Sequence, residues 1–563
     1  MISSPRRKIT VPLIALAVLF AAAVLVAAER PAAKPWPAEW DACTSIEVGR
    51  LATVDGSVIT CHTCDGPYRT WVNIVPHQKW PAKAMNKIYS GKMHTETPAD
   101  LKGIIKTGEI PQVPETYQFL NTAYPCLNEH GLAIGETTFG GRPELFNNTG
   151  MFMIEEIERL MLERCKTARE AIKLAGELVK QYGYGDYGEC ITIADGKEVW
   201  HFEIMGAGPL EKGAVWAAVR IPDGEVGISA NIPRISEINL KDPDHYLASD
   251  NIYKVAEDMG FWDPKSGEPF KWWKAYGIDP KYGGKPYGVR EFFVLSTLAP
   301  SLKLTMDMPE LPFSVKPEKK LSVRDVLAIY RDPYAGTDFD MTKNLIVPKR
   351  QMMRPGQPPA AQANPPAAPE MVPSQIASAW MPTDVITLIN ALKPGTIQRR
   401  RTIPISGCSY ATVIQVRGWL PPSVGAVCWF ALDNPAMSAR VPIFAGTTDL
   451  PPAYKICGQH RYRMDSADWI FRRTNRLATL KWGTTKDILG KAIAEFEEKA
   501  FTDLPGLEKK VQDILDARKG KPDKKLAAAY QLLTNYTNDF ARAAMQKYNE
   551  LGDKFWMIFA MSL

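Results

Sequence analysis

The chain has 563 residues, 45% of them hydrophobic and 23% charged. That is an ordinary globular composition in a chain long enough to bury a large core, as one big domain with additions or as two to three smaller ones. A net charge of +6 over this length is mild and gives no footing for a nucleic-acid-binding protein or for one that requires an acidic partner. The basic run Arg399-Arg400-Arg401 is expected on a solvated face.

The N-terminus differs from the rest. Arg6, Arg7 and Lys8 precede an apolar run from Val11 to Ala28, and the small residues Val26 and Ala28 suit cleavage before Glu29. Residues 1–28 are therefore read as a signal peptide and the protein as exported, periplasmic or secreted, with an uncleaved anchor over 11–28 as the alternative. No later segment is long and apolar enough to span a bilayer, so no stable membrane association is expected after signal cleavage. Export permits disulfides, and nine cysteines leave one unpaired.

Residues 29–42, rich in Pro and Ala, form a connector. From Cys43 the pattern turns to strand: "TSIEVGRLA" and "SVITCHT" flank Asp55-Gly56, a strong hairpin signal. If Val54 pairs with Ser57, Cys43 lies opposite about Tyr68, with His62 and Asp65 near it. Two more Asp-Gly turns, at 195–196 and 223–224, suggest an antiparallel meander. Between them and the first hairpin, "MFMIEEIERLMLERC" and "TAREAIKLAGELVKQY" carry apolar residues at helical intervals, and Thr167 and Glu170 stand at capping-box spacing. A further helix is expected from Ser322, with Asp325 three residues on. The Pro/Ala-rich segment within 349–378 reads as an insertion that divides a core of 43–348 and 379–460, and 461–563 reads as a helical C-terminal region.

Three cysteines crowd the first hairpin. Cys61, His62 and Cys64 suggest zinc, but no second Cys-x-x-Cys pair exists, and residues three apart on a strand point to opposite faces. A Cys61–Cys64 redox pair lacks the βαβ setting. Cys43 can be a disulfide half, a buried filler or a nucleophile. As the first residue of a processed chain it would hold nucleophile and base together, because an α-amino group of pKa about 7.7–8.0 can take the thiol proton.

Cys-Thr-x-Ile-x-Val-Gly followed by Ala-Thr-x-Asp-Gly-Ser, Cys43 to Ser57, resembles the bacterial dipeptidase A family of N-terminal-nucleophile cysteine hydrolases, relatives of the secernins. The likeness continues through "NEHGLAIGETTF", "ISANIPRISEI", "LPFSVKPEKKLSVRDVLAIYRD" and "GWLPPSVGAVCWFALD", in order from Cys43 to about Tyr454 and into the C-terminal helices. The resemblance implies an α+β fold, an αββα sandwich of two antiparallel sheets between helical layers. It also implies amide hydrolysis through a Cys43 acyl-enzyme. It carries Asp65 over as support for the nucleophile, from an Arg-x-x-Asp motif in which His62 stands for the arginine. Asn231 matches an oxyanion-hole asparagine, Arg290 is a looser match to an active-site arginine, and Thr138 stands where acylase relatives carry another asparagine. Histidine titrates near neutrality and lacks the arginine fork, so either pH dependence or substrate preference is expected to change, or His62 is a packed, neutral residue with no catalytic part. Neither Glu129 nor Glu136 is expected to form a carboxylate pair, and Cys61 and Cys64 are read as packing residues.

The leading expectation is an exported cysteine dipeptidase that acts on small peptides, needs no cofactor or metal, and matures by self-cleavage between Ala42 and Cys43. An acylase for a non-peptide amide and a non-catalytic binding protein on the same fold are the alternatives. The sequence sets no oligomeric state.

Overall fold

Two antiparallel sheets carry the core. In the computed structural model, which describes residues 43–209, 212–277, 284–349 and 369–561, the first sheet runs in the order Ser314–Val315, Val226–Ser229, Ser45–Val48, Val58–Asp65, Cys408–Val416, Ala426–Leu432 and Val441–Phe444. The second runs Tyr246–Ala248, Ala214–Arg220, Val199–Gly206, Gly188–Ala194, Ala133–Gly140, Leu127–Asn128, Phe119–Asn121 and Asn73–Val75. The expected signal peptide, the 29–42 connector and most of the Pro/Ala-rich insertion lie outside the described residues.

The strands at the centre are buried along their whole length, which requires cover on both faces. The 58–65 strand packs across onto the 133–140 and 188–194 strands, joining the two sheets face to face. Helices Ile154–Arg164 and Ala168–Tyr182 cover the outer face of the second sheet. The first sheet is covered by Val289–Leu298, Val323–Ile329, Ala467–Leu480 and Pro522–Ala560. The architecture is thus mixed helix and antiparallel sheet with a helical C-terminal region, as expected. Thr167 with Glu170 and Ser322 with Asp325 both form the expected capping boxes.

Gly135 fixes how closely the sheets approach. A Cβ there would lie 2.1 Å from the Cys61 carbonyl oxygen, so only glycine lets the two backbones meet. A buried triad joins the layers further along. His201 on the 199–206 strand places Nδ1 2.7 Å from Glu47 Oε1 of the first sheet and Nε2 2.9 Å from Glu203 Oε1. Glu203 Oε1 in turn accepts the Arg234 backbone N–H at 2.5 Å. The strand that follows Cys43 is thereby tied to the loop that follows Asn231.

The first hairpin departs from expectation. Glu47 pairs with Thr60 and Val48 with Ile59, and Thr63 N donates to Thr44 O at 3.0 Å. Cys43 therefore lies level with Cys64, not with Tyr68. After Val48 the chain stays beside the 223–225 segment: Gly49 N donates to Glu225 O and Leu51 N to Asp223 O. This holds residues 49–57 open as a wide loop, and Asp55 caps it by accepting the Ser57 N–H at 3.0 Å. The meander is also interrupted. Asp195-Gly196 closes a hairpin within the second sheet, whereas Asp223-Gly224 carries the chain from the 214–220 strand of one sheet to the 226–229 strand of the other.

Candidate active site

Cys43 stands two residues before the 45–48 strand and is 1% exposed. Burial pushes its thiol well up, and the carboxylates of Glu136 and Asp65 and the neighbouring Cys64 add to this, while the Asp65 backbone N–H works against it. A thiol in this state is a weak nucleophile and needs a base beside it.

Four hydrogen bonds from one guanidinium hold the residues on either side of the sulfur. Arg290, in the first turn of the 289–298 helix, donates from Nη1 to Cys43 O at 2.8 Å and Thr44 Oγ1 at 2.9 Å. Its Nη2 donates to Ala230 O at 3.0 Å and Asn231 Oδ1 at 2.7 Å. Arg290 is therefore a buried clamp at the site rather than a surface or remote ion-pair arginine. Burial, then the neighbouring Arg401, lowers its pKa to about 10, so it stays charged at neutral pH. Because a guanidinium only donates, the bond to Oδ1 sets the Asn231 amide, and Nδ2 faces the other way and donates to Thr138 O at 2.6 Å. Asn231 adopts φ +67°, a left-handed conformation that asparagine tolerates better than most residues. One Nδ2 hydrogen is committed to Thr138 and the second remains available.

His62 and Glu136 complete the buried face. One ligand atom from each of Cys43, His62 and Glu136 falls within 4.8 Å of the others. The His62 Nδ1 lies 2.7 Å from Glu136 O and 3.1 Å from Glu136 N, so it donates to the carbonyl in one tautomer and accepts from the backbone N–H in the other. His62 Nε2 and Glu136 Oε2 are buried with no hydrogen-bond partner among the described residues. Burial lowers the His62 pKa to about 4, so the ring is neutral across the physiological range. The three donors form a set that a soft divalent cation could occupy. The same is true of Glu96, Cys457 and His460 elsewhere.

Glu136 is not isolated, contrary to expectation. Glu189, on the adjacent strand, adjoins it, and Thr138 Oγ1 donates to Glu136 Oε1 at 3.1 Å. Burial pushes both carboxyls up, and the charge of Glu136 pushes Glu189 up further. Thr138 thus serves the pair through its hydroxyl and Asn231 through its carbonyl.

Asp65 lies at the end of the 58–65 strand, fully buried. Its Oδ2 accepts Thr63 Oγ1 at 2.8 Å and Arg401 Nη2 at 2.5 Å; its Oδ1 is buried without a hydrogen-bond partner among the described residues. Arg401 was expected on a solvated face, yet its side chain is 19% exposed and pairs with the Asp65 carboxylate. Cys61 and Cys64 do not converge: Cys61 meets Tyr330 and Cys64 meets Tyr410. All nine cysteines are free and buried.

The buried Cys43 thiol and its polar shell sit in a peptidase framework: the chain belongs to Peptidase family C69, whose family model matches residues 42–495. It is 24% identical over 499 residues to a probable dipeptidase of Latilactobacillus sakei, covering 85% of this chain and 90% of the relative. It is 26% identical over 422 residues to a probable dipeptidase of Salmonella dublin (73% and 82% covered). A probable dipeptidase B of Lactococcus lactis is 24% identical over 444 residues, with 73% and 76% covered.

Proposed function

We propose that this chain is an exported cysteine dipeptidase of the N-terminal-nucleophile type, built on an αββα sandwich. Cys43 is its nucleophile and small peptides are its substrates. The observation that carries this reading is the convergence on Cys43: Arg290 holds its carbonyl and the Asn231 amide together, and Asp65 lies beside it with an unpartnered buried oxygen. The probable-dipeptidase names of the relatives supply the substrate class.

Maturation comes first. The Cys43 thiol attacks the Ala42 carbonyl carbon, the peptide C–N bond breaks as the thiol proton passes to the Cys43 nitrogen, and water hydrolyses the resulting thioester to leave a free Ala42 carboxylate. The 29–42 segment departs after the signal peptide. The new α-amino group now takes the Cys43 thiol proton, and Asp65 Oδ1 accepts from it. Attack on a peptide carbonyl places negative charge on oxygen, where the second Nδ2 hydrogen of Asn231 stabilises it. The α-ammonium returns its proton to the leaving amine. Water, deprotonated by the same amine, hydrolyses the acyl-enzyme. The Arg290 clamp acts throughout by keeping nucleophile and oxyanion donor in register.

The test is the acyl-enzyme. Rapid quench of the processed protein with a dipeptide ester is expected to give a mass adduct on the Cys43 peptide. C43A is expected to give no adduct, no turnover and no processing at Ala42. Hydrolysis undiminished in C43A contradicts the reading.

A further inference from the structure

A dipeptidase must tell a free N-terminus from an amide in the middle of a chain, and the Glu136–Glu189 pair stands where that distinction is made. In the acyl half of a dipeptide, the α-nitrogen lies roughly 2.5 Å from the carbonyl carbon that bonds to sulfur. A group that recognises this nitrogen must therefore lie within a few ångströms of Cys43 Sγ. Glu136 is such a group, with a carboxylate oxygen within 4.8 Å of the sulfur. Its Oε2 and the Oε2 of Glu189 are buried without hydrogen-bond partners among the described residues.

The charge of the pair is also uncompensated. Among the described residues the only ion-pair partner of Glu136 is His62, at 3.7 Å, and that ring is neutral near pH 7. Two adjoining buried carboxyls with no charged partner make the site electronegative. An ammonium ion matches that charge. Two tyrosines also lie near the pair. Tyr124 packs edge-on to Tyr68 with ring centroids 5.3 Å apart and lies 5.7 Å from the His62 ring. Both tyrosines are close enough to Glu136 and Cys43 for those charges to raise their pKa values, after burial. Carboxylate and aromatic faces together form a setting for a primary ammonium group.

We propose that Glu136, backed by Glu189, binds the α-ammonium group of the substrate's N-terminal residue and so restricts hydrolysis to peptides with a free amino terminus. This rests on the dipeptidase reading above and deepens it, since an acylase for neutral acyl groups has no use for such an anion. Cys43's own α-amino group remains the partner of Asp65.

The processed wild-type enzyme is assayed on an alanyl dipeptide and on its des-amino analogue, in which propionyl replaces alanyl and the leaving amino acid is unchanged. The expected result is a kcat/KM at least about 100-fold lower for the analogue. E136Q, with its Cys43 terminus verified by intact mass, is expected to lose that preference, the ratio of kcat/KM for dipeptide over analogue falling by about 100-fold whatever happens to the absolute rates. Comparable wild-type cleavage of the two overturns the ammonium site and leaves the amide-hydrolase reading standing. Cleavage of neither overturns both. An E136Q protein that loses both substrates equally makes Glu136 part of the thiol's own proton chemistry and overturns the proposal. If E136Q fails to mature, the wild-type comparison alone decides.

Discussion

Arg401 Nη2 lies 2.5 Å from Asp65 Oδ2, although 336 residues separate them in the chain. The residues that follow the Pro/Ala-rich insertion thus return a guanidinium to the carboxylate beside Cys43. His62 stands at the position where an arginine was expected from the family pattern, so a cation still reaches this shell, from another segment. R401A leaves a buried carboxylate without its cation. Because the arginine is partly exposed, the cost is expected at about 2 kcal/mol rather than the full penalty of a broken buried pair. Turnover is expected to fall about tenfold or more, with R401K recovering part of it through charge without the fork. Thermal unfolding and dipeptide kinetics on both variants check this.

Asn231 is held by Arg290 with its amide nitrogen toward the site. N231A is expected to lower kcat about 100- to 1,000-fold with little change in KM, as for loss of one oxyanion donor. R290K keeps the charge but cannot span Cys43 O, Thr44, Ala230 and Asn231 at once. It is expected to lower kcat by a comparable factor. Steady-state kinetics on the two processed variants is the check.

Two buried histidines set the pH dependence of stability with opposite signs. His62 has a folded pKa near 4, below its unfolded value near 6.5. The unfolded chain therefore takes up a proton first as pH falls, and stability drops between about 6.5 and 4, by roughly 3 kcal/mol. His201 lies between Glu47 and Glu203; burial opposes its charge, but Cys190 and Glu47 outweigh it and its pKa is raised. Its contribution is full below about 6.5 and is lost as pH rises toward the folded value. Urea unfolding across pH is expected to show the acid arm flattened in H62Q and the alkaline arm flattened in H201Q.

Gly135 makes its own prediction. With the Cys61 carbonyl 2.1 Å from any added Cβ, G135A must push the sheets apart exactly where His62 meets Glu136. A loss of about 1–3 kcal/mol is expected from thermal unfolding, together with weakened turnover.

Much of this arrangement was legible before the structure. Strand and helix periods, both capping boxes and the helical C-terminus follow from local chemistry, and Cys43, Asp65, Asn231 and Arg290 follow from motif resemblance. What escaped was set by distance. The hairpin register was misjudged because the 223–225 segment, far along the chain, holds residues 49–57 open. Arg401 looked like one member of a surface basic run, since nothing nearby in sequence announces Asp65. The partner of Glu136, Glu189, goes unseen in the sequence for the same reason: their strands are joined by a two-helix excursion. The alternation of Glu136 with Thr138 on a strand was the only local sign that both face one side.

Activity is expected to need Cys43 as the first residue of the chain. Intact mass with N-terminal sequencing of the purified, active protein tests it most directly. A terminus at Cys43 is expected, and a full loss of dipeptide hydrolysis in a variant blocked at the Ala42–Cys43 bond. Active protein whose terminus lies at Glu29, or anywhere else before Cys43, has no α-amino base on the nucleophile and contradicts it.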